Sequence, residues 1–349
     1  MRASRPRVLS GAAAALAVLA LTACGGAAAE QAAAPSPAAE GERTLVLYSG
    51  RDEELVGPLI EQFEQASGIT VETRYGSTTE MAAQLLEEGD ATPAQVFLSQ
   101  DAGALGALAA QGRLAPLPAE ITGAVERQFS STDGSWVGLT GRARVVAYDS
   151  QEVPADQVPG DPQELLDPRW RGQVAIAPTN ASFQAFVTAL RVLQGEDAAR
   201  AWLQGLIANE PQIMQGNGAI LEAVNTGAAD LGLINHYYWA SSETDPAALR
   251  AQIAFGDPGT ALALVNVTGA GVLTGAADSA EARELVEFLV GAQAQTYFAT
   301  ETAEYPLVAG VPGPAGVPTL EQLDGPDLDL SDLASLEQTV ALLTEVGLV

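Results

Sequence analysis

Lysine is missing from this 349-residue chain, so its 16 basic residues are all arginine and face 44 acidic ones, a formal net charge of −28. A field of that sign repels a polyphosphate backbone and excludes nucleic acid as a partner. The sequence holds one cysteine and one histidine. Disulfides and cysteine–histidine zinc sites are therefore short of parts, and no Ser-His-Asp spacing appears around the single histidine. No glycine-rich phosphate loop is present, and Gly216-Asn217-Gly218 reads as a turn. Asp324, Asp327, Asp329 and Asp332 lack the ligand spacing and closing glutamate of an EF-hand loop and read as a solvated helix start. No motif places a carboxylate pair for glycoside chemistry. Catalysis is not expected of this chain.

What the chain does have begins at its N-terminus. Arg2, Arg5 and Arg7 precede an apolar run from Val8 to Leu21, too short to span a bilayer comfortably and followed by small residues. That is the pattern of an export signal. Leu21-Thr22-Ala23-Cys24 resembles the lipobox of bacterial lipoproteins, which implies cleavage after residue 23 and acylation of Cys24. Residues 24–42 are mostly Ala, Gly, Pro, Ser and Glu and read as a flexible tether. The expectation is an exported monomer, held to the outer face of the cytoplasmic membrane by its lipid alone. Losing the signal would leave 13 arginines against the same 44 acids.

From residue 43 onward, short apolar strands alternate with amphipathic helices. Thr44–Tyr48, Ile69–Tyr75 and Gln95–Leu98 read as strands, and Glu53–Ser67, Thr78–Gly89 and Ala104–Gln111 as the helices between them. A second set runs from Gln173–Ala177 to the strand Leu231–Ile234, after a crossing strand at Ala143–Tyr148. This alternation implies an α/β fold with largely parallel sheets. Two lobes are expected, 43–142 with 269–349 and 143–268, joined by two extended crossings that act as a hinge. The helices Asp278–Val290 and Leu333–Leu343 are expected to pack back on the first lobe.

Ligands of such sheets lie beyond the carboxyl ends of the strands. The polar residues at those turns are Ser49 to Asp52, Ser99 to Asp101, Thr179 to Ser182, Asn217 and Asn235 to Tyr238. A strand end turning into a helix lets Tyr237 and Tyr238 converge. Two phenolates are hard oxygen donors suited to a hard cation such as Fe(III), whose charge lowers the pKa of its ligands. An aromatic plug in the cleft wall is the alternative for this pair. The Asn180–Ser182 turn can hold an anion at a helix start or simply cap the helix. Arg142 and Arg144 read as hinge structure or charge pairing.

Pro93–Phe97, Arg142–Asp149, Ile234–Trp239 and Ala303–Leu307 resemble segments of the bacterial ferric-iron-binding transport proteins, and the resemblance covers nearly the whole chain after the tether. It implies a bilobal periplasmic-binding-protein type II fold that captures Fe(III) in its interlobe cleft, with phosphate or carbonate as a synergistic anion. It also implies delivery to an ABC permease. Carried over by position, Tyr237 and Tyr238 match the tyrosine ligands. Tyr148 ends the crossing strand, where some members place a third. Asn180, Ala181, Ser182, Asn217 and Asn235 match the anion site. Two positions depart from the best-known pattern. Asp52 stands where those members carry histidine; it remains a suitable Fe(III) ligand and is equally at home as a helix N-cap. Gln100 replaces a glutamate and joins Arg51 as a partner beyond the metal. An organic or phosphorylated anion bound without iron is the competing cargo.

Overall fold

A computed structural model describes residues 43–349; the signal, Cys24 and the tether lie outside the described residues. The chain opens on strand β1 (Thr44–Ser49), helix α1 (Glu53–Ser67), β2 (Thr70–Tyr75), α2 (Thr78–Glu88), β3 (Val96–Ser99), α3 (Ala102–Ala110) and the single turn α4 (Ala119–Thr122). The long β4 (Val137–Asp149) then leads to β5 (Val174–Ile176), α5 (Ala181–Gln194), α6 (Glu196–Ala208), β6 (Gln212–Ile213) and α7 (Asn217–Asn225). Next come β7 (Leu231–Asn235), α8 (His236–Ala240) and β8 (Ala251–Phe255). The chain returns through β9 (Val265–Val272), α9 (Ala280–Leu289), α10 (Ala292–Glu301) and β10 (Tyr305–Pro306) to α11 (Leu336–Glu345).

Local chemistry explains the boundaries. Ser77 and Glu80 close α2 as a reciprocal capping box, satisfying two backbone donors that the first helical turn leaves free. Asp101 accepts the Ala104 N–H at the start of α3. Gly68 takes the left-handed conformation that ends α1, at φ 70°.

Eight of the ten strands form one hydrogen-bonded path, β2-β1-β3-β9-β4-β7-β5-β6, and β8 and β10 each pair with the shared β4 beside it. Val137 to Ala143 pair with β9, which pairs with β3 and through it with the parallel β1 and β2. Arg144 to Asp149 pair instead with β7 and β8, and β7 continues to the parallel β5 and β6. The first half-sheet thus hands over to the second within one strand, between Ala143 and Arg144. The return differs from expectation. Position 269 falls inside β9, which pairs with the first half-sheet from Val265 onward, so the chain has already crossed back by that residue. Among the described residues no helix is long and apolar enough to cross a membrane.

The C-terminal segment also departs from the expected packing. The turn Leu330–Ala334 does lie on α3, but α11 is bonded to the second half. Thr339 meets Thr188 of α5 at 2.7 Å, and Arg191 of α5 donates to the Ser335 carbonyl at 2.9 Å and to the Thr339 hydroxyl at 2.9 Å. Periodicity locates an apolar face and does not say which half covers it. The α3 contact is flush: a Cβ on Gly106 would lie 2.8 Å from the Ala334 methyl. Gly106→Val is therefore expected to destabilise the protein by about 1–3 kcal/mol through overpacking, read as a lower urea midpoint at unchanged slope.

Candidate metal and anion site

The carboxyl ends of β1, β3, β5 and β7 deliver Ser49, Ser99, Ile176 and Asn235 toward the hand-over in β4, where helices from both halves begin. At the end of β7 the chain turns into α8 with Asn235 in extended conformation, and His236, Tyr237 and Trp239 are buried. The rings of Tyr237 and Tyr238 stack with centroids 4.4 Å apart and planes at 30°. Adjacent residues have converged as a strand-to-helix turn permits. The Tyr237 hydroxyl is buried without a hydrogen-bond partner, an uncommon state that a bound ion would relieve. Burial raises the Tyr238 phenol above its ordinary pKa, and the neighbouring Tyr237 adds to this.

His236 serves these rings and is not turned toward the cleft. It is fully buried, accepts the Ala143 N–H at Nδ1 (3.1 Å) and stacks on Tyr305 at 4.5 Å. Burial pushes its pKa down to about 3. Trp239 is likewise fixed, donating to the Ala251 carbonyl at 3.0 Å.

Facing Tyr238 is a cleft of about 590 Å³ lined by Gly50 to Glu54, Tyr75 to Ser77, Gln100 and Asn180. The structure therefore brings Asp52 and Gln100 of the first half together with Tyr238 and Asn180 of the second. Asp52 stands at the N-cap of α1, yet its carboxylate makes no capping bond and is exposed, so it is free to bind a cation. Its charge contributes to holding the Tyr238 phenol protonated. Among the described residues no three His, Cys, Asp or Glu side chains gather as a metal cluster.

Asn180 caps α5, accepting from the Ser182 N–H (3.0 Å), the Ser182 hydroxyl (2.6 Å) and the Asn217 amide (3.2 Å). Asn217 also donates to the Ser182 hydroxyl at 3.1 Å and accepts the Asn235 N–H at 3.1 Å. The turn Asn180-Ala181-Ser182 is thus tied to Asn217 and Asn235 in one polar patch, as the sequence led us to expect. A cation missed in the sequence completes it. Arg144, buried, donates from Nη1 to the Ser182 hydroxyl at 3.1 Å and from Nη2 to the Leu233 carbonyl at 2.9 Å. Among the described residues no carboxylate pairs with it, and burial together with Arg142 lowers its pKa to about 9. A buried guanidinium without a counter-ion is costly, and an anion beside Ser182 would offset that cost. Arg142 lies on the same face two residues earlier, all three of its guanidinium nitrogens lacking a hydrogen bond. The signal for both was alternation: arginines two apart on a strand that the chain buries throughout.

Tyr148 is not brought to this site. In the antiparallel register it lies opposite Leu231, four residues before Asn235, so it stands roughly 13 Å back along the sheet at the other end of β7. Arg51 lies fully buried at the floor of the cleft, its Cζ 5.6 Å from the Tyr237 ring centroid and its Nη2 3.0 Å from Glu304.

Residues 91–320 match the family model of a bacterial extracellular solute-binding protein. An Fe(3+)-binding periplasmic protein of Serratia marcescens is 33% identical over 317 residues, covering 89% of this chain and 92% of that one. Among solved structures, iron-bound HitA from Pseudomonas aeruginosa superposes with a TM-score of 0.83 at 32% identity, covering 87% of this chain and 99% of that one. The Trichodesmium IdiA (FutA) protein in complex with iron and citrate ligands gives 0.74 at 26% identity over 88% and 100%.

Because His236 is neutral when folded and protonates near pH 6.5 when unfolded, the unfolded chain binds the extra proton below that pH. Stability present above pH 6.5 is therefore lost as pH falls toward about 3, by up to about 1.4 kcal/mol per pH unit from this group. His236→Asn, which keeps an acceptor for the Ala143 N–H, is expected to flatten the slope of unfolding free energy between pH 6 and 4.

Proposed function

The chain belongs to the bacterial extracellular solute-binding proteins, on their ferric-iron-binding side, with the two-lobed type II fold of that family, and from this premise we propose that it captures Fe(III) between Tyr237, Tyr238 and Asp52. The carrying observation is the stacked tyrosine pair with one hydroxyl left unpartnered at a cleft wall. Two phenols, one buried and one half-buried, are poor sites for a divalent ion, which recruits thiolate, imidazole or carboxylate more readily. A trivalent cation supplies enough charge to expel both protons and then satisfies the oxygens it frees.

An anion held by Arg144, Ser182 and Asn217 fills a further coordination position, with Asn180, Ala181 and Asn235 framing it; phosphate and carbonate fit the size and charge of that patch. Arg51 and Gln100 stand beyond the metal, the first as a buried cation and the second as a neutral hydrogen-bonding wall. Closure of the halves about β4 and β9 encloses the ion, and opening releases it to an ABC permease. An acylated Cys24 on a tether keeps this cycle near the membrane.

Adding ferric citrate to metal-stripped protein is expected to produce a visible tyrosinate-to-iron band. Tyr237→Phe and Tyr238→Phe should each abolish it, while Tyr148→Phe should leave it intact. A titration that is the same in the first two variants as in the parent ends the iron reading. Arg144→Met is expected to remove any dependence of iron affinity on added phosphate or carbonate, leaving the tyrosinate band. The competing reading, an organic or phosphorylated anion without iron, draws on Arg51, Arg144 and the neutral Gln100. A phosphate ester that binds the Tyr237→Phe, Tyr238→Phe double variant as well as the parent would favour it.

A further inference from the structure

Glu304 has no role in the site as described so far, yet it is buried to 0% exposure a few ångströms from it. It follows Ala303, which adopts the left-handed conformation at φ 52° where α10 ends, a position that favours glycine. The Glu304 N–H closes that helix end on the Phe298 carbonyl at 3.0 Å, and the reversal sends its side chain inward. There Oε2 accepts from the Thr302 hydroxyl at 2.9 Å and from Arg51 Nη2 at 3.0 Å. The other oxygen makes no hydrogen bond and lies 3.8 Å from Arg142 Nε.

Arg51 depends on this carboxylate. Its Nε has no partner, and the bond to Glu304 is the hydrogen bond its guanidinium makes. The next residue after Glu304, Tyr305, stacks on His236, which immediately precedes Tyr237. One short segment thus grips the tyrosine turn twice, through a ring and through an arginine.

We propose that Glu304 is a positioning residue for metal capture, acting through Arg51: it fixes the guanidinium against the Tyr237 ring, so that a cation borders the phenolate when iron binds. This rests on the iron reading above. An ordinary buried ion pair would need only charge neutrality and would tolerate any carboxylate that reaches. The proposed role needs the guanidinium in one place.

The test uses the full folded chain and the band of the ferric complex. A cation beside a phenolate stabilises its donor orbital, so withdrawing the cation moves the band to longer wavelength. Arg51→Met is expected to show that shift, with iron affinity lower by about 10-fold or more, the usual consequence of losing a group that orients a ligand. Glu304→Asp keeps the charge but withdraws it by one methylene, and is expected to shift the band in the same direction. Glu304→Ala should reach the Arg51→Met wavelength, and adding Glu304→Ala to Arg51→Met should change neither wavelength nor affinity further. Urea midpoints measured alongside report the separate loss of stability. If Glu304→Asp keeps the parent wavelength and affinity, or if the effects of Arg51→Met and Glu304→Ala add, the positioning role is overturned. A parent protein that shows no band with ferric citrate defeats the iron reading instead. A metal-free crystal structure of Glu304→Asp then decides the positioning itself: Arg51 displaced from the Tyr237 ring upholds it, and Arg51 unmoved overturns it.

Discussion

The pairing of β4 with two different sets of neighbours is the constraint on which the molecule depends. Its first seven residues lie beside β9 and its last six beside β7 and β8. Backbone hydrogen bonds in a buried ladder are expensive to break, so the strand holds both halves while its middle bends. Because β1, β3, β5 and β7 all point their carboxyl ends at that middle, the turns after them converge there without any long loop.

The same strand supplies the charge that the site requires. Arg142 and Arg144 face inward at its crossing point, joined by Arg51 from the turn after β1. In a chain with so few cations, three fully buried guanidiniums in one place are a considerable electrostatic investment. Glu304 answers one of them at hydrogen-bond distance, and among the described residues no carboxylate pairs with Arg144. Phenolates and a small anion are species that would balance the remainder. The depressed pKa of His236 belongs to the same picture, since a protonated imidazole beside Arg142 would add to an excess already present.

Much of this was legible in the residues. The strand–helix alternation gave the fold class, the turns picked out Asn180, Ser182, Asn217, Asn235 and the tyrosine pair separately, and the family resemblance grouped them. Asp52 was ambiguous between cap and ligand until the structure left its carboxylate unbonded. Tyr148 was misplaced for a geometric reason. Its position at the end of β4 suggested proximity to the hinge, but an antiparallel partner reverses direction, so the end of β4 meets the beginning of β7. The C-terminal helix was drawn on the first half alone, whereas it touches α3 and is bonded to α5, because an apolar face carries no record of every surface that covers it.

The sequence by itself determined the ligand chemistry: with no lysine and a single cysteine and histidine, oxygen donors and arginines had to carry any metal and anion binding. It also determined where turns fall, since apolar runs, N-caps and glycines act over a few residues. Only the tertiary structure decided that Arg51, Glu304 and Tyr237 are neighbours, though 253 positions separate the first two. Contacts of that range depend on strand order and on which face of each strand turns inward. No local pattern encodes either one, because both are settled by the packing of the whole chain.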